Sequence, residues 1–147
     1  MKAALTIIRY LFIALWTYSA VLKLVDYGVF LSQLQRQPLP IWSISILSIA
    51  LPVGEFLLAT AFLFRKTFYL ALIVSFVLML SFSIYVLLAI RGAFGEIPCS
   101  CAGIIGRLPW KEHLVFNVIF TLLAFVGILI FRNYRNKDFV KHKHFIV

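Results

Sequence analysis

The chain's only two cysteines stand one residue apart, in Pro98-Cys99-Ser100-Cys101. Two thiols this close can open and close a disulfide, ligate a soft metal ion, or cross-link to another chain. On a helix, residues i and i+2 point to nearly opposite sides. In an extended or turned segment they share a face, with Cα atoms at most about 6.6 Å apart at a rise of about 3.3 Å per residue. Disulfides usually span roughly 4.4–6.8 Å, so a Cys99–Cys101 bridge is feasible but strained, and strained bridges are the more readily reduced. Three readings stay open on the residues alone. The pair is redox-active; or both thiolates, with His113 or a second chain's pair, form a soft-metal site; or the sulfurs make a static or intermolecular disulfide or are inert thiols. One thiolate pair by itself is incomplete for tetrahedral zinc, and no metal site is expected.

The segment that carries the cysteines, from Arg91 to His113, holds Gly92, Gly95, Gly103, Gly106, Pro98 and Pro109. Such a composition breaks helices and allows tight turns. Ile97, Ile104, Ile105 and Leu108 make it too apolar for a freely solvated loop, so it is expected to cap one mouth of whatever holds it. Pro109 suits the first turn of a following helix, on which His113 and Asn117, four apart, share a face. His113 could donate a proton to, or stabilise, a thiolate at Cys99 or Cys101; it could equally cap the loop by hydrogen bonding.

The elements on either side are membrane spans. Hydrophobic residues make up 63% of the 147 and charged residues 13%, against roughly 45–50% and 25% in soluble domains. A span takes roughly 20 mostly apolar residues, and four stretches qualify, near residues 3–25, 41–64, 67–90 and 109–131. They lack period-two alternation and are too long for barrel strands. The expected fold is all-α, an integral membrane four-helix bundle (residues 1–131) with the Cys-x-Cys loop between its third and fourth helices, then a basic tail (132–147). The first stretch is longer than the apolar core of a signal peptide and lacks a clear small-residue cleavage site, so it reads as an uncleaved helix.

Four spans place both termini and the Arg65-Lys66 turn on one side, with nine of the fourteen basic residues. The positive-inside rule then makes that side the cytoplasm, and the cysteine loop faces a periplasm-like space where disulfides persist. Trp42 and Trp110 open the second and fourth helices at that outer interface. The net charge of +9 reflects this bias and a tail lying on anionic lipid, and no nucleic-acid partner is expected.

Inside the spans, Glu55 is the one acidic residue of the second helix. A carboxylate there must be protonated, paired or facing a polar cavity. With the first two helices centred on Leu15 and Val53, Arg9 falls about 6 Å from the level of Glu55 and Lys23 about 15 Å away, at about 1.5 Å per residue. That arithmetic predicts an Arg9–Glu55 contact and a Lys23 that snorkels to the surface. Glu55 either handles protons or fixes helix packing. Pro52 and Gly54 beside it loosen the helix ladder and allow close packing.

Taken together these residues resemble the MauE/DoxX group of small bacterial redox-associated membrane proteins, and its methylamine utilisation protein MauE branch in particular. The resemblance is carried by Arg9 through Lys23-Leu24 with Ser19, by Pro52-Val53-Gly54-Glu55, and by Ile97-Pro98-Cys99-Ser100-Cys101 followed by Gly103, Trp110, His113 and Asn117. It implies an inner-membrane protein that supports disulfide formation or electron transfer outside the cytoplasm, as a thiol–disulfide oxidoreductase or its accessory. Cys99, Cys101 and His113 would then be catalytic, with Arg9, Lys23, Glu55, Trp110 and Asn117 supporting. Because the chain has one dithiol, a separate periplasmic thioredoxin-like protein or an exported disulfide-containing client is the expected partner. No cofactor is firmly implied; a membrane quinone between the helices near Glu55 and Tyr85 is the one candidate. The rival readings are a soft-metal binding or transport protein and a structural accessory subunit.

Overall fold

A computed structural model describes residues 2–37, 39–92 and 110–143, and side chains within them except those of Trp110 and residues 136–143. Five helices occupy these residues: α1 (Lys2–Val25), α2 (Tyr27–Gln35), α3 (Ile41–Leu63), α4 (Phe68–Ile90) and α5 (Trp110–Lys143). The four long ones are apolar and long enough to cross a membrane, as hydropathy predicts. Their outward faces carry exposed Ile7, Leu11, Ile49, Leu57, Val77, Ile84, Ile119 and Leu122, which a bilayer, and not water, can cover.

Each break has a local cause. Asp26 leaves helical geometry (φ −106°, ψ 46°) and separates α1 from α2. Pro40 is extended and starts α3, its carbonyl accepting from the Ser43 amide. Gly92, at φ 75°, takes the left-handed position that ends α4, its N–H donating to the Ala89 carbonyl.

The helices run alternately up and down. α1 packs chiefly on α3 and α4 on α5, and narrower α3–α4 and α1–α5 contacts join the two pairs. The starts of α1 and α5's far end share one end of the bundle with the 64–67 turn, here the terminal end. The opposite end, here the connection end, carries α2, the start of α3, the end of α4 and the start of α5. α2 was not expected; its Phe30 and Leu34 pack on Ile44 of α3, with Leu47 and Leu51 beside them. The fourth span also runs further than its apolar stretch, continuing as helix to Lys143.

The interior divides by height. Toward the terminal end it is aromatic: Phe12 stacks on Phe62 at 5.4 Å and meets the edge of Phe120 at 5.6 Å, and Phe62 meets Phe68 at 5.8 Å. Trp16, 1% exposed, donates its indole N–H to Ser75 Oγ at 3.0 Å. At Gly127 α5 comes close to its neighbours, since a Cβ there would lie 3.1 Å from Leu72 and 3.4 Å from Ile8. From mid-span to the connection end the interior holds most of the buried polar side chains, beside the apolar Phe30–Leu34–Ile44 cluster.

Candidate functional site

The polar half begins at Glu55. Its carboxylate accepts from Lys23 Nζ at 2.7 and 3.0 Å and from Ser19 Oγ at 3.0 Å, while Lys23 also donates to Ser19 Oγ at 2.7 Å. Both charged side chains are buried, 5% and 7% exposed. Phe30 of α2 closes the cluster, its ring centroid 6.0 Å from the ammonium. The ammonium thus has oxygen acceptors for its protons and an aromatic face beside it. That is the condition for holding a charge out of water.

This corrects the expected Arg9–Glu55 contact. Ser19 reaching Glu55 and Phe12 stacking on Phe62 put Leu15 level with Ala59 instead of Val53, a displacement of about 9 Å at about 1.5 Å per residue. Lys23 then lies one turn beyond Glu55, and helical side chains lean toward their own N-terminus, which carries its ammonium back to the carboxylate. It does not snorkel. Arg9 is carried to the terminal end, where its guanidinium carbon sits 4.6 Å from the centre of the Phe68 ring.

Above the ion pair, Tyr27 of α2 donates to Ser48 Oγ at 3.0 Å, and Ser48 donates to the Ser45 carbonyl. Pro52 has no N–H to offer the Ser48 carbonyl, so α3 lacks one rung of its ladder just below this contact. Tyr85 of α4 donates to the side-chain oxygen of Gln37, which follows α2. Tyr85 and Glu55 are therefore each engaged, and by different partners.

A second polar line runs along the α4–α5 seam. Thr121 Oγ1 donates to the Asn117 carbonyl at 2.7 Å and meets Ser83 Oγ at 3.4 Å, and Ser83 donates to the Met79 carbonyl. One and two turns nearer the connection end come Asn117 and His113, 4% and 7% exposed. Among the described residues, His113 Nδ1 and Asn117 Nδ2 have no hydrogen-bond partner. A buried polar atom left unmatched costs about 1–3 kcal/mol, so these two mark where the bundle interior awaits an acceptor or a donor at the foot of the 93–109 connection.

Cys99 and Cys101 lie outside the described residues, as does the Trp110 side chain; Trp110 opens α5. The structure therefore brings together Lys23 and Glu55 of the expected set, and separately His113 and Asn117, and leaves Arg9 apart from both. Sequence reasoning missed Tyr27, Ser48, Ser83 and Thr121. The spacing of four in His113, Asn117 and Thr121 was the available signal, since it lays one polar stripe along α5. Among the described residues no group of three or more His, Cys, Asp or Glu side chains could hold a metal ion.

A scan of family models matches residues 1–130 to the family described as methylamine utilisation protein MauE. No curated protein and no solved structure matches the chain.

Proposed function

Because the chain belongs to the MauE family, we propose that it is a thiol–disulfide redox protein of the bacterial inner membrane, acting on exported proteins through Cys99 and Cys101. The observation that carries this reading is the position of its two cysteines in sequence. They occupy the connection into α5, whose first turns hold buried His113 and Asn117 with unmatched nitrogens. The distribution of basic residues supports a cytoplasmic terminal end and a periplasmic connection.

In the proposed exchange, one cysteine thiolate attacks a partner disulfide, forming a mixed disulfide and expelling the partner's second sulfur as thiolate. The remaining cysteine then attacks its neighbour's sulfur, closes the Cys99–Cys101 bond and releases the partner as a dithiol. The partner gains two electrons and this chain loses them; run in reverse, the chain oxidises a client dithiol. A periplasmic thioredoxin-like protein is the expected exchange partner. A membrane quinone would serve as an alternative oxidant, becoming hydroquinone as the dithiol becomes disulfide. His113, at the foot of the connection, would hold or return the thiol proton.

Trapping tests this directly. Of the two single Cys→Ser variants, the one that keeps the attacking cysteine should leave a covalent complex with a periplasmic protein that dissolves on reduction, and the double variant should trap nothing and lose disulfide-forming activity. If neither single variant traps a partner, and the purified protein binds copper(I) stoichiometrically until both cysteines are replaced, soft-metal handling takes its place. If the double variant keeps full activity, the chain is a structural accessory.

A further inference from the structure

Arg9 is a half-buried guanidinium that meets no carboxylate among the described side chains. Glu55 is already engaged by Lys23. Asp26 and Glu112 stand at the connection end. Asp138 lies seven residues past Phe131 along α5, about 10 Å further on at about 1.5 Å per residue.

What surrounds Arg9 is aromatic and basic. The Phe68 ring lies under its guanidinium carbon at 4.6 Å, which restrains the group without consuming an N–H donor. The register set by Phe12–Phe62 brings Arg9 level with Arg65, whose neighbour Lys66 shares the turn; both are exposed. Phe68 packs on Phe131 at 5.8 Å, Phe131 stacks on Tyr69 at 5.1 Å, and Arg135 sits 5.7 Å over Tyr69. Two arginines thus flank one aromatic cluster at the height where α3 ends and α4 begins.

We propose that this end of the bundle binds the headgroup of an anionic phospholipid, its phosphate held by Arg9 and by Arg65 and Lys66 of the adjoining turn. The ligand must be anionic because nothing among the described side chains neutralises these cations. It must be a lipid because the site opens at the end of apolar helices, beside exposed Leu63 and Phe64, where acyl chains already lie. A free guanidinium fork matches phosphate oxygens two at a time. Zwitterionic phosphatidylcholine would bring its own quaternary ammonium among three cations, so the site should discriminate against it. A lipid attracted only by a diffuse basic tail would lack this dependence on a single residue.

The test is native mass spectrometry of the full chain, titrated with phosphatidylglycerol or phosphatidylcholine of matched acyl chains. One phosphatidylglycerol should be retained in preference, with roughly a fivefold loss of that preference for each cation removed. Arg9→Gln should abolish most of it, Arg9→Lys should restore part, and Lys111→Gln at the opposite end should change nothing. Should Arg9→Gln fail to assemble, the exposed pair Arg65→Gln/Lys66→Gln must lower the same preference. Equal retention of the two lipids, or a preference untouched by every terminal-end variant, overturns the proposal. Displacement of the lipid by millimolar inorganic phosphate overturns its lipid character.

Discussion

At the residue scale, the ion pair of Lys23 and Glu55 is held by more than charge. Ser19 accepts from the ammonium and donates to the carboxylate, so removing either ion leaves the other buried with half its partners. Single variants Lys23→Met and Glu55→Leu should each cost about 3–5 kcal/mol, whereas the double variant should recover most of that loss. Thermal unfolding in detergent reads this as a coupling energy. Arg9→Gln combined with Glu55→Leu should be additive, because the two side chains lie at different heights; coupling between them would sink the observed register. Asn117 poses the opposite case, a side-chain donor with no acceptor among the described residues. Asn117→Leu should leave stability unchanged or raise it by about 1 kcal/mol, while slowing disulfide turnover in cells if the unmatched nitrogen serves the cysteine connection. A loss of stability equal to the loss of activity would instead make Asn117 a packing residue.

At the scale of elements, two glycines separate contact from open surface. A Cβ at Gly127 meets Leu72 and Ile8, while one at Gly54 meets nothing within 4 Å. Gly54→Ala should therefore stabilise α3 by about 0.5–1 kcal/mol, and Gly127→Leu should overpack the α1–α4–α5 contact and cost about 1–3 kcal/mol. Both are measured by thermal unfolding, and equal effects would contradict the packing. The four spans were legible because bilayer thickness sets a length that hydropathy reveals. α2 was not, since a nine-residue helix between Asp26 and Pro38 alternates apolar and polar residues too briefly to show a period. The run of α5 beyond Phe131 was hidden by its charges, which read as a tail although a helix carries them equally well. Glu55 stood out as a site residue; its partner did not. α3 is apolar around most of its surface apart from a few Ser, Thr and Glu55, so no stripe in its sequence announces which height of α1 it meets. Only side chains specific to one height, Phe12 on Phe62 and Ser19 on Glu55, settle that register.

For the whole molecule, the division of the interior and the distribution of charge point the same way. The end that carries α2 and the cysteine connection holds most of the buried polar side chains; the opposite end has the aromatic cluster and the cations Arg9, Arg65, Lys66, Arg132 and Arg135. Moving a cation outward across the bilayer works against the membrane potential, at about 2.3 kcal/mol per charge per 100 mV. The aromatic, cation-rich end should therefore stay cytoplasmic and the polar end should open outward. This is measurable in intact cells with a membrane-impermeant maleimide. On a background in which Cys99 and Cys101 are both Ser, Lys111→Cys should be labelled from outside, whereas Lys66→Cys should react only after the membrane is permeabilised. With the native cysteines restored and reduced, Cys99 and Cys101 should label as Lys111→Cys does. The reverse pattern would put the dithiol in a reducing cytosol, where a periplasmic exchange partner could never reach it. The helices and the Lys23–Glu55 pair would stand unchanged, but the redox reading would lose the oxidising compartment it needs.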